Sequence, residues 1–167
     1  MIDSSTIIGY TAIYMKAGVL SINDSQVLGN GEEAKEITTN HNGSNATADA
    51  IVLDSTTGYQ GNMIIIFSGN NVVASKKGYA VKEALGDTTS SGTRMVMVSG
   101  GIFRGADDKD AISISDSFIE AVGNNMAFVM IAEGTSFSSD IAQILPEGFV
   151  TTEYDIATGL YVVTTQE

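Results

Sequence analysis

Apolar residues recur along this chain in short runs, each interrupted by small polar residues and then resumed. Val19-Leu-Ser-Ile22 is followed by Asn-Asp-Ser-Gln and Val27. Met63 to Phe67 is followed by Ser-Gly-Asn-Asn and Val72, and Met95 to Val98 by Ser-Gly-Gly and Ile102-Phe103. Phe128 to Ala132 precedes Glu-Gly-Thr-Ser and Phe137, and it aligns with the preceding run without a gap, Phe128 opposite Arg94. Such β-prone runs between turn residues predict strands. A second series, Ala12-Ile-Tyr-Met, Ala50-Ile-Val-Leu, Ala80-Val-Lys-Glu and Ala111-Ile-Ser-Ile, runs in phase with the first. Both repeat at roughly 31 residues once an insertion in the first interval is set aside. That insertion, residues 29–49, is polar and rich in Gly, Asn and Thr, and is expected to be a loop.

Repeats of this length can build several architectures. Helices are not expected, because few segments carry a period near 3.6 residues; Ser139–Leu145, with Ser139 or Asp140 as N-cap, is the one candidate. A propeller blade would be longer, and a sandwich needs no in-phase repeat. The pattern predicts an all-β parallel β-helix, a solenoid of about four coils over residues 1–148, in which equivalent strands pair at roughly 4.8 Å spacing. The Ser-Gly-Gly breaks become corners, where Gly accepts angles a Cβ would forbid. Gly69 stands in for Gly100, and Asn70 and Asn71 supply further left-handed tolerance. Residues 149–167 read as a C-terminal hairpin cap: Phe149–Tyr154 and Leu160–Thr165 flank a turn with Gly159 at its left-handed position.

Alternation assigns the faces. With Val27, Val72, Phe103 and Phe137 as inward anchors, Leu20, Ile22, Ile65, Phe67, Val96, Val98, Met130 and Ala132 also point in. Leu20, Ile65 and Val96 should form one internal column. The opposite row is Val19, Ser21, Ile64, Ile66, Met95, Met97, Val129 and Ile131, apolar except for Ser21. An outward strand face should be polar. This one is expected either to be covered by the C-terminal segment or to contact another subunit, and Val19, Ile64, Ile66, Met95, Met97, Val129 and Ile131 are the interface candidates.

Composition narrows the function classes. Of 167 residues, 43% are apolar and 17% charged, with 18 Gly and one Pro, which suits a turn-rich folded domain rather than a disordered segment. The net charge of −12 argues against nucleic acid and anionic lipid as partners. No Cys is present, so disulfides, thiolate metal sites and Cys nucleophiles are excluded. The longest apolar run, Met126 to Ala132, is too short to span a membrane as a helix. No signal-peptide pattern is visible.

Several segments carry a resemblance. "VSGGIF", "IFSGNNV", "TAIYMKAGVLSIND", "NGSNATADAIVLD" and "GTSFSSDIAQILPEGFVTTEYDIATGLYVV" resemble parts of repetitive surface proteins of gut Firmicutes. The similarity extends from Thr11 to Val163. Asp24-Ser25, Gly69-Asn70 and Gly134-Thr135 depart from it where the family pattern has a double Gly. Those proteins are similar to pectin-lyase-like right-handed parallel β-helices. The resemblance therefore implies a right-handed coil and an extracellular or cell-surface module, with no established chemistry.

Candidate chemistry is sparse. His41 is the only histidine, lies in the insertion, and has no G-x-S-x-G elbow to serve, so a triad or zinc site is not expected. Asp107, Asp108 and Asp110 form the densest acidic cluster and are the candidate calcium ligands, although their spacing matches no EF-hand. Asp54, Glu83 and Asp116 could approach one another on adjacent coils but are expected to be outward turn residues. Arg94 and Arg104 bracket a strand rather than converge. Tyr10, Tyr14, Tyr59 and Tyr79 cluster at coil beginnings and are the candidates for stacking on a glycan. The expected function is non-catalytic: a structural or adhesive β-solenoid module of a bacterial surface protein, self-associating through an apolar flank or an uncapped coil end, with a cell-surface glycan as a further partner. The alternatives are a carbohydrate-active enzyme or glycan-binding module, and a phage or extracellular fibre component.

Overall fold

A computed structural model describes residues 1–35, 46–54, 61–84, 92–124 and 127–166. In chain order the first strands are β1 (Ile2–Asp3), β2 (Thr6–Gly9), β3 (Ile13–Met15), β4 (Gly18–Asn23), β5 (Gln26–Gly29) and β6 (Ile51–Asp54). Next come β7 (Met63–Ser68), β8 (Val72–Ser75), β9 (Val81–Ala84), β10 (Arg94–Ser99), β11 (Ile102–Arg104) and β12 (Ile112–Ser113). A helix, α1 (Asp116–Gly123), precedes β13 (Ala127–Ile131) and β14 (Ser136–Phe137). A single 3-10 turn at Ala142–Ile144 leads to β15 (Phe149–Thr151) and β16 (Tyr161–Thr165).

The strands fall into three sheets that the chain visits in rotation. The first has the order β1-β4-β7-β10-β13 and the third β12-β9-β6-β3, both parallel throughout. The second runs β15-β16-β14-β11-β8-β5-β2 and is mixed, because β16 pairs antiparallel with both β14 and β15. Leu20, Ile65 and Val96 are register partners across β4, β7 and β10. Ile13, Ile51, Val81 and Ile112 are likewise partners across the third sheet, so the Ala-led series lies in register.

The expected class, an all-β right-handed parallel β-helix of about four coils with a hairpin cap, is corrected. Three open sheets are present, one of them mixed, with a helix packed among them, which is an α/β-like arrangement. The helix has a local cause. Ser115 Oγ accepts from the Phe118 backbone N–H at 3.3 Å, a side-chain N-cap, and Phe118 and Ala121 bury the inner stripe. Ser139–Leu145, the segment expected to be helical, keeps only its 3-10 turn, with Asp140 Oδ1 accepting from the Ala142 N–H at 2.9 Å.

The core lies between the sheets. Val27, Val73, Phe103 and Phe137 are partners in the second sheet and fully buried. The anchor expected at Val72 is therefore its neighbour Val73, Val72 being only half-buried. The Phe67 and Phe103 rings meet edge-on at 5.0 Å, and Phe103 stacks on Phe137 at 5.3 Å. Burying each such side chain contributes on the order of 1.5–3 kcal/mol before chain entropy.

The corners differ from the expectation in one respect. Gly69, Gly100 and Gly101 do take left-handed angles, with φ of +73°, +153° and +112°. Asn71 does not; its buried amide works instead through its side chain. Asn71 Oδ1 accepts from the Ser25 N–H at 3.0 Å, and Nδ2 donates to the Ser68 carbonyl at 2.7 Å, tying two successive corners together.

Candidate functional site

The outward face of the first sheet is apolar over successive strands. Val19 is 62% exposed, and Ile64, Ile66, Met95 and Met97 are half-buried. Val129 and Ile131 do not belong to this face. Their register partners are Val96 and Val98, both inward, and Ile131 is buried. Phe128 and Met130, 42% and 50% exposed, take the outward positions, and Met130 is thus not the inward residue expected. The cause is the corner: between Ile131 and Phe137 lies one residue more than between Val98 and Phe103. A one-residue shift exchanges every side chain between faces. A groove of about 370 Å³ runs along Met97, Val129 and Met130 and is bordered by Pro146 and Phe149. The segment leading into the C-terminal hairpin therefore flanks this face at the β13 side.

A second assembly forms where the third sheet meets the first. Tyr14 Oη donates to Asp54 Oδ2 at 2.6 Å, and Lys16 Nζ approaches the same oxygen at 3.2 Å. Asp54 and Glu83 are both buried, which corrects the exposed turn position expected of them, while Asp116 is exposed in the first turn of α1, next to Ser115. Register pairs Leu53 with Glu83, so alternation puts Glu83 on the core side and Asp54 on the side of Tyr14 and Lys16. Glu83 Oε2 accepts from both the backbone N–H and the hydroxyl of Ser115, at 3.0 and 2.6 Å. Burial pushes its pKa up to about 7, the two Ser115 hydrogen bonds and the Arg94 guanidinium restrain the rise, and Asp54 adds to it. Arg94, beside Thr93, is itself buried. None of these burials was visible in the sequence, because each depends on the neighbour brought in by another strand.

The remaining candidates are scattered. Tyr10 Oη donates to the Glu33 carbonyl at 2.9 Å, with Lys35 Nζ 5.6 Å from its ring centre. Tyr14 is engaged by Asp54 and by Lys16, at 5.6 Å from the ring. Tyr79 lies under Lys82 and Lys109, at 5.4 and 5.9 Å. Tyr10, Tyr14 and Tyr79 thus each have a lysine of the same chain near the ring, and Tyr10 remains 36% exposed. Tyr59 and His41 lie outside the described residues. Asp107, Asp108 and Asp110 are exposed, and among the described residues no three carboxylate or histidine side chains converge as metal ligands. Asp108 pairs instead with Lys109 at 3.7 Å.

A polar cleft of about 420 Å³ opens between the turn after β11 and the tip of the C-terminal hairpin. Arg104, Asp107, Lys109, Ser138, Tyr154 and Gly159 line it. Arg104 Nη2 donates to the Thr158 carbonyl at 2.9 Å, which fastens the guanidinium to the hairpin turn. Arg104 and Arg94 do not converge, as expected, since Arg94 points into the core.

Among the described residues no helix is long and apolar enough to cross a membrane. No family model, no curated protein and no solved structure matches the chain.

Proposed function

We propose that this chain is a non-catalytic structural or adhesive module of a bacterial surface protein, and that copies of it associate through the outward face of the first sheet. One observation supports the reading above others: Val19, Ile64, Ile66, Met95, Met97, Phe128 and Met130 make an uncharged, partly exposed apolar face across four adjacent strands. Contiguous apolar surface of this kind serves interfaces. A second copy is the occupant we propose: the net charge of −12 opposes its approach, and this face, which carries no charge, is where that repulsion is locally weakest. Placement at the cell surface rests on the resemblance of the corner segments. The enzymatic alternative would need Asp54 and Glu83 to share an accessible cleft, and alternation sends them to opposite faces of the third sheet.

Light scattering across a concentration series tests association. The wild-type chain is expected to exceed the monomer mass, and the double variant Ile66→Lys, Met97→Lys to return to it with its circular dichroism unchanged. A wild-type chain that stays monomeric at every concentration overturns the reading, as does an oligomer untouched by the double variant.

A further inference from the structure

We infer that the polar cleft between Arg104 and Tyr154 is a binding site for the carboxylate of a small ligand. This site is separate from the proposed self-association face and does not depend on it. Its lining is rich in donors. Arg104 commits Nη2 to Thr158, which fixes the guanidinium and leaves Nη1 toward Gly159. A Cβ built on Gly159 would lie 3.5 Å from both Arg104 Nη1 and Tyr154 Oη. The two donors therefore converge over a position held bare by a glycine whose φ is +68°. Tyr154 Oη has no hydrogen-bond partner among the described residues, and the residue is 49% exposed. Ser138 Oγ already accepts from the Gly105 N–H at 3.0 Å, so its own proton is available to a ligand. Lys109 brings a further ammonium, held loosely by Asp108.

Four donors against one lining carboxylate, Asp107, call for an acceptor-rich ligand. Among the lining residues Arg104, Lys109 and Asp107 the formal charge is one positive unit; Asp108, outside the lining, pairs with Lys109, so Arg104 is the main cation a ligand meets, and the whole chain is strongly acidic. A monoanion is matched there, whereas a dianion such as phosphate meets Asp107 and the surrounding negative field with surplus charge. A planar carboxylate also suits the fork of a fixed guanidinium. The volume falls within the range of small-molecule sites. Tyr154 packs tilted against Tyr161, with ring centres 5.1 Å apart, which gives an aromatic wall for whatever bears the carboxylate.

The test is an NMR titration of the full chain at constant ionic strength, following the Gly105, Ser138 and Gly159 amides. N-acetylglycine is expected to shift these signals saturably, while its neutral counterpart N-acetylglycinamide leaves them unmoved. Acetate producing the same shifts assigns recognition to the carboxylate alone; acetate failing where N-acetylglycine succeeds assigns it to the end of a peptide-like chain. Lys109→Met, which leaves the hairpin contact intact, and Arg104→Lys, which keeps the charge but loses the fork, are each expected to weaken binding about tenfold, as the loss of a charge-assisted hydrogen bond requires. Equal shifts from the amide, no saturation by any carboxylate up to solubility, tighter binding of inorganic phosphate, or indifference to both variants would each overturn the assignment.

Discussion

Replacing Glu83 with glutamine turns a buried ionisable group into a neutral one of nearly the same shape, and the consequence is calculable. Glu83 is 3% exposed, and its carboxyl titrates at about 7 in the folded chain against an ordinary 4.5, chiefly because burial disfavours the charged form. A carboxyl that holds its proton more tightly folded than unfolded stabilises the fold below its unfolded pKa. That stabilisation is lost as pH rises through the folded value. The full shift corresponds to roughly 3 kcal/mol, of which about 2.5 kcal/mol falls between pH 5 and pH 8. The glutamine side chain retains a carbonyl for the Ser115 N–H and hydroxyl, so the N-cap of α1 keeps its partner. The stability of Glu83→Gln relative to wild type should therefore rise by about 2–3 kcal/mol on going from pH 5 to pH 8. Urea unfolding followed by circular dichroism at several pH values measures the difference directly. A relative stability that is flat from pH 5 to pH 8 would show that Glu83 is not titrating in a buried site, and the account of the junction between the third and first sheets would fail with it.

Two further substitutions probe the stacking of the repeats. Phe103→Ala removes the middle ring of the Phe67–Phe103–Phe137 set and should cost about 3–5 kcal/mol in urea unfolding, with Phe103→Leu much milder. Asn71→Ala leaves the buried Ser25 N–H and Ser68 carbonyl without their partner, and should cost about 2–4 kcal/mol by the same measurement, with protection of the Ser25 amide from hydrogen exchange falling selectively.

Much of the register was legible in advance. The Ala12, Ala50, Ala80 and Ala111 starts lie side by side, because each begins a strand of the same sheet after a similar length of chain. The inward residues Ile22, Ile65, Phe67, Val96 and Val98 follow from alternation alone, since period-two patterning is a property of the extended backbone. Helix α1 left a signal that the general scarcity of helical periodicity obscured: Ser115 as cap, then apolar residues at Phe118, Ala121 and Val122. The faces of β13 were a harder matter. An alignment without gaps hides one extra corner residue, and a corner's length changes a face without changing the composition of the strand.

What the sequence alone determined, then, is the period, the strands and most of the alternation within them, all properties of short stretches of backbone. Only the tertiary structure decided which strand face met the core at β13 and that the sheets remain open with a helix between strands. It alone buried Asp54, Glu83 and Arg94 and brought Arg104 and Tyr154 to one cleft. Those outcomes depend on corners and on partners many residues distant, and the energy of burying a charge or exposing an apolar side chain is set by the neighbours that arrive, not by the residue that waits for them.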